Sequence, residues 1–284
     1  MGIQSTPLSA LEACSPAKLN LFLHVTGRRA DGYHNLQTVF QLLNWGDEMR
    51  FERREAPGVT LSGDTDDIAP ADNLILRAAN ALDAPDLGAH IHIRKQIPRG
   101  GGLGGGSSNA ATTLLALNRL WQLNLDRDVL MTIALTLGAD VPVFTMGHSA
   151  WAEGIGEELT PLELPPAWFL VVYPGVHVDT GEIFSRRELT RASPPITMAA
   201  FFAGGSRNDC EPVVRDLYPE VDKALNWLGK FGEARLTGTG ACVFCRCADE
   251  ASARAIAAEV PAPWRAIVAA GVNRSPALEQ EAET

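Results

Sequence analysis

The sequence predicts an α/β (α+β) protein of two domains, and three observations carry that expectation. Apolar segments of strand character interleave with segments of helical spacing along the whole chain. The 284 residues exceed what one compact core needs and suit two domains that share a cleft. A proline-rich stretch, Pro161, Pro165 and Pro166, interrupts the middle of the chain, after which Trp168 to Tyr173 restarts as a β-rich run. The boundary is expected between Gly154 and Pro166, which gives domains of 1–158 and 159–284.

Leu19 to Val25 alternates, with Leu19, Leu21, Leu23 and Val25 on one face and Asn20, Phe22 and His24 on the other, as in a strand; Lys18 falls on the face of Asn20. Asp31-Gly32 supplies a turn, and Leu36 to Trp45 is a second strand. Asp72 or Asn73 can cap a helix through Leu82, because Leu74, Ala78 and Leu82 repeat at helical spacing. His90 to Ile97 alternates as a strand. Ser107 and Ser108 are candidate N-caps of a helix whose Ala110, Thr113, Leu114, Leu117, Leu120 and Trp121 share a face. A further helix runs from Asp126 to Leu137, with Gly138 as its stop. The second half reads as a strand, helices around Pro194 to Phe202 and Pro219 to Phe231, a strand pair about Gly238-Thr-Gly240, a helix over Ala251 to Glu259, and a strand near Ile267. No internal repeat interrupts this order.

Composition excludes several classes of function. With 46% apolar and 20% charged residues the chain reads as globular, and no apolar run is long enough to span a bilayer. A net charge of −10 argues against general nucleic-acid binding, which rests on clustered Lys and Arg. The first residues lack a basic segment followed by an apolar one, so the cytoplasm is the expected location. Five cysteines, an odd number, suit reduced thiols. Cys242, Cys245 and Cys247 have no second Cys or His cluster to complete a zinc site and read as small residues packed along a strand. The remaining histidines, among them His24, His90 and His92, read as structural.

The most informative stretch is Pro98-Arg99-Gly100-Gly101-Gly102-Leu103-Gly104-Gly105-Gly106-Ser107-Ser108-Asn109-Ala-Ala, set between a predicted strand and a predicted helix. Six glycines remove the Cβ atoms that would keep an anion away from the backbone. The following helix presents unpaired N–H groups and the positive end of its dipole. Ser107 and Ser108 can either cap that helix or bind phosphate oxygens or a magnesium ion. No Gly-Lys-Ser/Thr follows, so this is not a Walker A loop; Gly100, Gly102 and Gly105 fit a dinucleotide fingerprint by register, but the acidic residue ending a later strand is missing.

The segment Gly-Leu-Gly-Gly-Gly-Ser-Ser-Asn-Ala-Ala resembles the central phosphate-binding motif of the GHMP kinase superfamily, whose general form is Pro-x-x-x-Gly-Leu-Gly-Ser-Ser. The resemblance extends to Ser15-Pro-Ala-Lys18-Leu-Asn20-Leu-Phe-Leu, Arg29-Ala-Asp-Gly-Tyr33-His34, Leu137-Gly-Ala-Asp140-Val-Pro-Val-Phe, Asn208-Asp-Cys-Glu211 and Leu236-Thr-Gly-Thr-Gly240-Ala, and so covers nearly the whole chain in order. It implies a two-domain GHMP kinase fold, the first domain ribosomal-protein-S5-like with a left-handed crossover and the second ferredoxin-like, with the active site between them. The Tyr33-His34 segment narrows it to members that phosphorylate a hydroxyl of a cytidine diphosphate-linked small molecule in non-mevalonate isoprenoid synthesis. ATP would be the phosphoryl donor, accompanied by Mg2+ whose ligands the sequence does not fix.

Carried onto this chain, the resemblance makes Lys18 and Asp140 the catalytic pair and residues Pro98 to Ser108 the ATP cradle. Asn20, Tyr33, His34, Thr180 and Phe184 would hold the substrate, with Tyr33 and Phe184 on the faces of the cytosine and His34 at its edge. The residues by themselves leave other readings open. Lys18 could be a solvated surface lysine, Asp140 an N-cap ahead of Pro142, His34 an exposed turn residue, Phe184 ordinary core, and Gly238-Thr-Gly240 a simple hairpin turn. The alternatives in function are another GHMP-type kinase, such as one for mevalonate or homoserine, a nucleotide sensor without turnover, and a dinucleotide-dependent oxidoreductase.

Overall fold

The two longest strands, β1 (Ala10–Arg28) and β2 (His34–Arg54), form an antiparallel pair that runs through the molecule. The computed structural model describes residues 8–65 and 68–281; the N-terminal segment read above lies outside the described residues. Along its free side β2 pairs in turn with three other strands. Residues 38–40 meet β5 (Ala150–Glu153), 42–43 meet the last strand, and 48–54 meet β4 (Gly88–Arg94). The edge strand β3 (Gly58–Gly63) lies parallel to β4, so the sheet is mixed.

Helices α1 (Leu74–Ala81), α2 (Gly105–Leu120), α3 (Arg127–Leu137) and α4 (Val141–Met146) pack together with β2 and β4 around the first core. Asn73 and Asp126 cap α1 and α3 as the sequence predicts, by accepting from Ile75 N and Val129 N. The serines do not cap α2. Its N-cap is Gly104 at φ 74°, and Ser107 and Ser108 lie inside the first turn. The predicted single apolar face of α2 is also too narrow: Ala111, Leu115 and Ala116 are buried as well, because α1, α4 and β1 enclose the helix from several sides.

β6 (Glu158–Pro161) pairs with β5, so the hairpin of the first half extends past the expected division at 158. The second half then adds β7 (Ala167–Tyr173), α5 (Thr180–Ser185), α6 (Met198–Phe202), α7 (Glu211–Leu217) and α8 (Pro219–Leu228). β8 (Arg235–Leu236), β9 (Val243–Cys247), α9 (Glu250–Ala257) and β10 (Arg265–Val272) complete it. Sheet order is β3-β4-β2-β10-β7-β9-β8, so β10 stitches the halves into one sheet. Cys245 and Cys247 are buried along β9, with Cys242 buried just ahead of it, and burial pushes the thiols of Cys242 and Cys245 up, which keeps them protonated. Among the described residues no helix is long and apolar enough to cross a membrane.

The alternation of Leu19 to Val25 does not separate a wet face from a dry one. Lys18, Asn20 and His24 are as buried as Leu19 and Val25, since β1 is covered on both sides and a bulge between Asn20 and Leu23 shifts its facing. Burial holds the His24 imidazole below its ordinary pKa. A bridging core of Leu19, Leu43, Ile97, Leu103, Val171 and Phe244 joins β1 and the glycine-rich segment to the second half. Burying Leu103 alone contributes about 2 kcal/mol and anchors the middle of that segment.

Asp47 ties β2 to the start of the glycine-rich segment. Its carboxylate, fully buried, accepts from Gln96 N at 2.7 Å, Ile97 N at 2.9 Å, Asn109 Nδ2 at 2.9 Å and Lys95 Nζ at 2.5 Å. Asp47→Ala leaves two backbone N–H groups and an ammonium without their acceptor, so urea unfolding is expected to register a loss of about 3 kcal/mol or more. A loss under about 1 kcal/mol would mean that water replaces the carboxylate without cost.

Candidate active site

The glycine-rich segment is held from both sides. Leu103 O accepts from Lys18 N at 3.0 Å, while Gly100 O and Gly101 O accept from Ala241 N and Cys242 N at 3.0 and 3.1 Å. Two of its glycines are required by space as well as by conformation. A Cβ on Gly102, at φ +72°, would lie 2.3 Å from Thr237 O, and one on Gly104, at φ +74°, would lie 2.8 Å from the Phe144 ring. The segment and the first turn of α2 form one wall of a cavity of about 340 Å³, into which the helix directs the N–H groups that have no intrahelical partner. Residues Pro98 to Ser107 all line this cavity.

Ser108 does not. It is fully buried, and its hydroxyl accepts from Ser15 Oγ at 2.8 Å; Asn109 Nδ2 donates to the same Ser15 at 2.9 Å. The sequence-based expectation that Ser108 contacts phosphate is corrected on that ground: the hydroxyl faces β1. Lys95, which sequence reasoning missed, lines the cavity with its ammonium set between Asp47 and Asn109 Oδ1, the latter at 2.8 Å. The signal was a cation three residues ahead of Pro98. Asp64, Thr65, Ile68 and Leu74 line the same cavity.

A second cavity, of about 690 Å³, opens on the other side of Ser107 and is lined by Tyr33, His34, Asp140, Thr180 and Phe184. Ser107 borders both cavities. Tyr33 follows the turn in which Arg29 N donates to Tyr33 O at 2.7 Å, and it is 60% exposed. His34 begins β2, stacks on Phe184 with ring centroids 5.0 Å apart, and accepts at Nε2 from Arg191 Nε at 3.1 Å. Burial, with Arg191 and Arg28 adding to it, holds the His34 imidazole below its usual pKa. Thr180, the first residue of α5, shares a hydrogen bond of 2.8 Å with Thr239.

Lys18 and Asp140 meet at this junction. Lys18 Nζ donates to Asn20 Oδ1 at 2.5 Å and to Gly102 O at 3.0 Å, lies 5.4 Å from the centre of the Phe40 ring, and stands 3.5 Å from Asp140 Oδ2. Lys18 is 3% exposed, which removes the solvated-lysine reading. Asp140 occupies the N-cap position of α4 yet makes no capping bond, so its carboxylate is left for the cavity. Asn20 is engaged within the protein at both ends of its amide, since Nδ2 donates to Thr38 Oγ1 at 3.0 Å. It sets the position of Lys18 and lines neither cavity.

The description "GHMP kinases N terminal domain" matches residues 73–148, and "GHMP kinases C terminal" matches residues 196–266. The chain is 54% identical over 277 residues to the 4-diphosphocytidyl-2-C-methyl-D-erythritol kinase of Marinobacter nauticus, across 95% of this chain and 96% of that one. The chain belongs to the GHMP kinase family. A relative of the same description from Alkalilimnicola ehrlichii is 54% identical over 93% of this GHMP kinase and 92% of its own length. A crystal structure of 4-(cytidine 5'-diphospho)-2C-methyl-D-erythritol kinase matches with a TM-score of 0.81 at 35% identity, over 92% of this chain and 100% of that one. Homoserine kinase from Cytophaga hutchinsonii, at 17% identity and a TM-score of 0.69 over 98% of both chains, shares the fold alone.

The dinucleotide alternative fails on topology. In this GHMP kinase β4, ahead of the loop, runs antiparallel to β2, and α2 leads into α3 instead of returning to a parallel strand. The loop's fit against Thr237 gives a direct test. Gly102→Ala is expected to lower ATP affinity in calorimetric titration by about tenfold or more, because the backbone must leave its left-handed conformation; unchanged affinity would contradict the loop's role.

Proposed function

We propose that this GHMP kinase transfers the γ-phosphoryl group of ATP to the 2-hydroxyl of 4-diphosphocytidyl-2-C-methyl-D-erythritol, giving the 2-phosphate and ADP in non-mevalonate isoprenoid precursor synthesis. One observation carries the reading: Ser107 borders both cavities, so a triphosphate laid along the glycine-rich segment ends where the second cavity begins, beside Asp140. The relatives described above supply the identity of the acceptor.

The chemistry follows from the positions of the side chains. The acceptor hydroxyl, held in the larger cavity, gives its proton to the Asp140 carboxylate as its oxygen bonds to the γ-phosphorus. The bond from that phosphorus to the β–γ bridging oxygen breaks, and ADP leaves with the electron pair. Lys18 takes no part in the proton transfer. Held by Asn20 and Gly102 O, it offsets negative charge spread over the transferring group without having to reorganise. The N–H groups at the start of α2 and the Lys95 ammonium perform the same service for the remaining phosphates.

Magnesium fits this site as a companion of the nucleotide. Such an ion keeps several waters and binds through phosphates and one or two protein oxygens. The Ser107 hydroxyl, which borders both cavities, would hold it, and the ion would neutralise charge on the phosphates. On the substrate side, Tyr33 and Phe184 flank the cytosine, His34 meets its edge, and Thr180 borders the same cavity.

Asp140→Asn is expected to lower kcat about 10³-fold while ATP affinity changes less than about threefold, because the carboxylate acts on the acceptor. Equal turnover by the variant would remove Asp140 from this role. Steady-state assays with ATP and 4-diphosphocytidyl-2-C-methyl-D-erythritol, mevalonate or homoserine test the substrate, and only the first is expected to be phosphorylated at an appreciable rate. Preference for either of the others would overturn the assignment.

A further inference from the structure

Arg191 lies 157 positions from His34 in sequence and belongs to no motif, yet the fold brings its guanidinium against the imidazole. Its Nε donates to His34 Nε2 at 3.1 Å, while its Nη atoms donate to the carbonyls of Leu189, Phe184 and Arg186 at 3.1, 2.8 and 2.5 Å. Those carbonyl bonds tie the guanidinium to the segment that carries Phe184, so its direction is set by backbone.

A guanidinium has donors only, and it stays charged throughout the range in which proteins fold. The nitrogen facing it must therefore present a lone pair. In a neutral imidazole one nitrogen accepts and the other carries the hydrogen, so an accepting Nε2 leaves the hydrogen on Nδ1. Burial and the positive charges of Arg191 and Arg28 oppose a second proton. Among the described residues Nδ1 has no hydrogen-bond partner, and His34 lines the larger cavity. The imidazole's one hydrogen is thus fixed on Nδ1, in a residue that lines the cavity.

We propose that Arg191 is a positioning residue that sets base specificity: by donating to His34 Nε2 it fixes the Nδ1–H tautomer, so that the site offers a donor to pyrimidine N3 and selects cytosine over uracil. The inference rests on the cytidine-linked substrate proposed above. Cytosine carries a lone pair at N3, which accepts this hydrogen. Uracil carries N3–H, and the two donors would face each other with neither satisfied, a mismatch that binding sites discriminate strongly. If the tautomer were free to exchange, Nδ1 could accept from uracil N3–H, and the distinction would weaken.

The test compares kcat/KM for the cytidine diphosphate-linked substrate and for its uridine diphosphate-linked analogue in the wild type and in Arg191→Met. The wild type is expected to favour cytidine, and the variant to lose about tenfold or more of that preference, chiefly through KM. A variant in which both substrates decline together with their ratio unchanged would reduce Arg191 to a support for the 184–191 segment and overturn the proposal. Nitrogen-15 NMR of His34 in the wild type decides the tautomer without any variant: a hydrogen on Nδ1 supports the proposal, and one on Nε2 overturns it. A wild type that phosphorylates neither nucleotide-linked alcohol would instead contradict the function proposed above, and the NMR measurement would still judge the tautomer.

Discussion

A buried ammonium organises this molecule. Removing Lys18 Nζ from water costs several kcal/mol unless oxygen atoms surround it, and the fold supplies three sources: Asn20 Oδ1, Gly102 O and the Asp140 carboxylate. Each comes from a different element, namely β1, the glycine-rich segment and the residue ahead of α4. The requirement to satisfy one cation therefore fixes the strand, the glycine-rich segment and Asp140 relative to one another. Asp140 is 36% exposed in its side chain, so the pair is shielded at the lysine end and open at the carboxylate end, which suits the base role proposed for it.

The second half of the chain takes part in the same arrangement. Thr237 Oγ1 accepts from Asn20 N at 2.9 Å, and the backbone of Ala241 and Cys242 holds the carbonyls of Gly100 and Gly101. The bridging core beneath places Leu103 among residues of β1, β7 and β9. The glycines at 102 and 104 let the Thr237 carbonyl and the Phe144 ring approach closer than a Cβ would allow. The cavity along the glycine-rich segment and the larger cavity beside it are thus two sides of one packed seam.

What the sequence made legible was local chemistry. The glycine run between strand and helix announces an anion cradle, the cap at Asp126 and the stop at Gly138 can be read from residue type alone, and the first helix's cap is narrowed to Asp72 or Asn73, of which the fold uses Asn73. Lys18 was not legible in that way, because a single lysine on an alternating strand looks solvated; only resemblance singled it out, and burial on both faces of β1 explains why alternation misled. Ser108 and Asn20 have the right chemistry but are spent on protein partners, which no spacing rule reveals. Lys95 and Arg191 were missed since their roles depend on Asp47 and His34, which reach them through the fold.

The most direct measurement is a crystal structure of the enzyme with a non-hydrolysable ATP analogue and the cytidine-linked alcohol bound together. The γ-phosphate is expected at Ser107, with the acceptor hydroxyl between it and the Asp140 carboxylate and Lys18 Nζ still held by Asn20 and Gly102 O. A nucleotide whose terminal phosphate points away from Ser107, or an alcohol bound remote from Asp140, would contradict it.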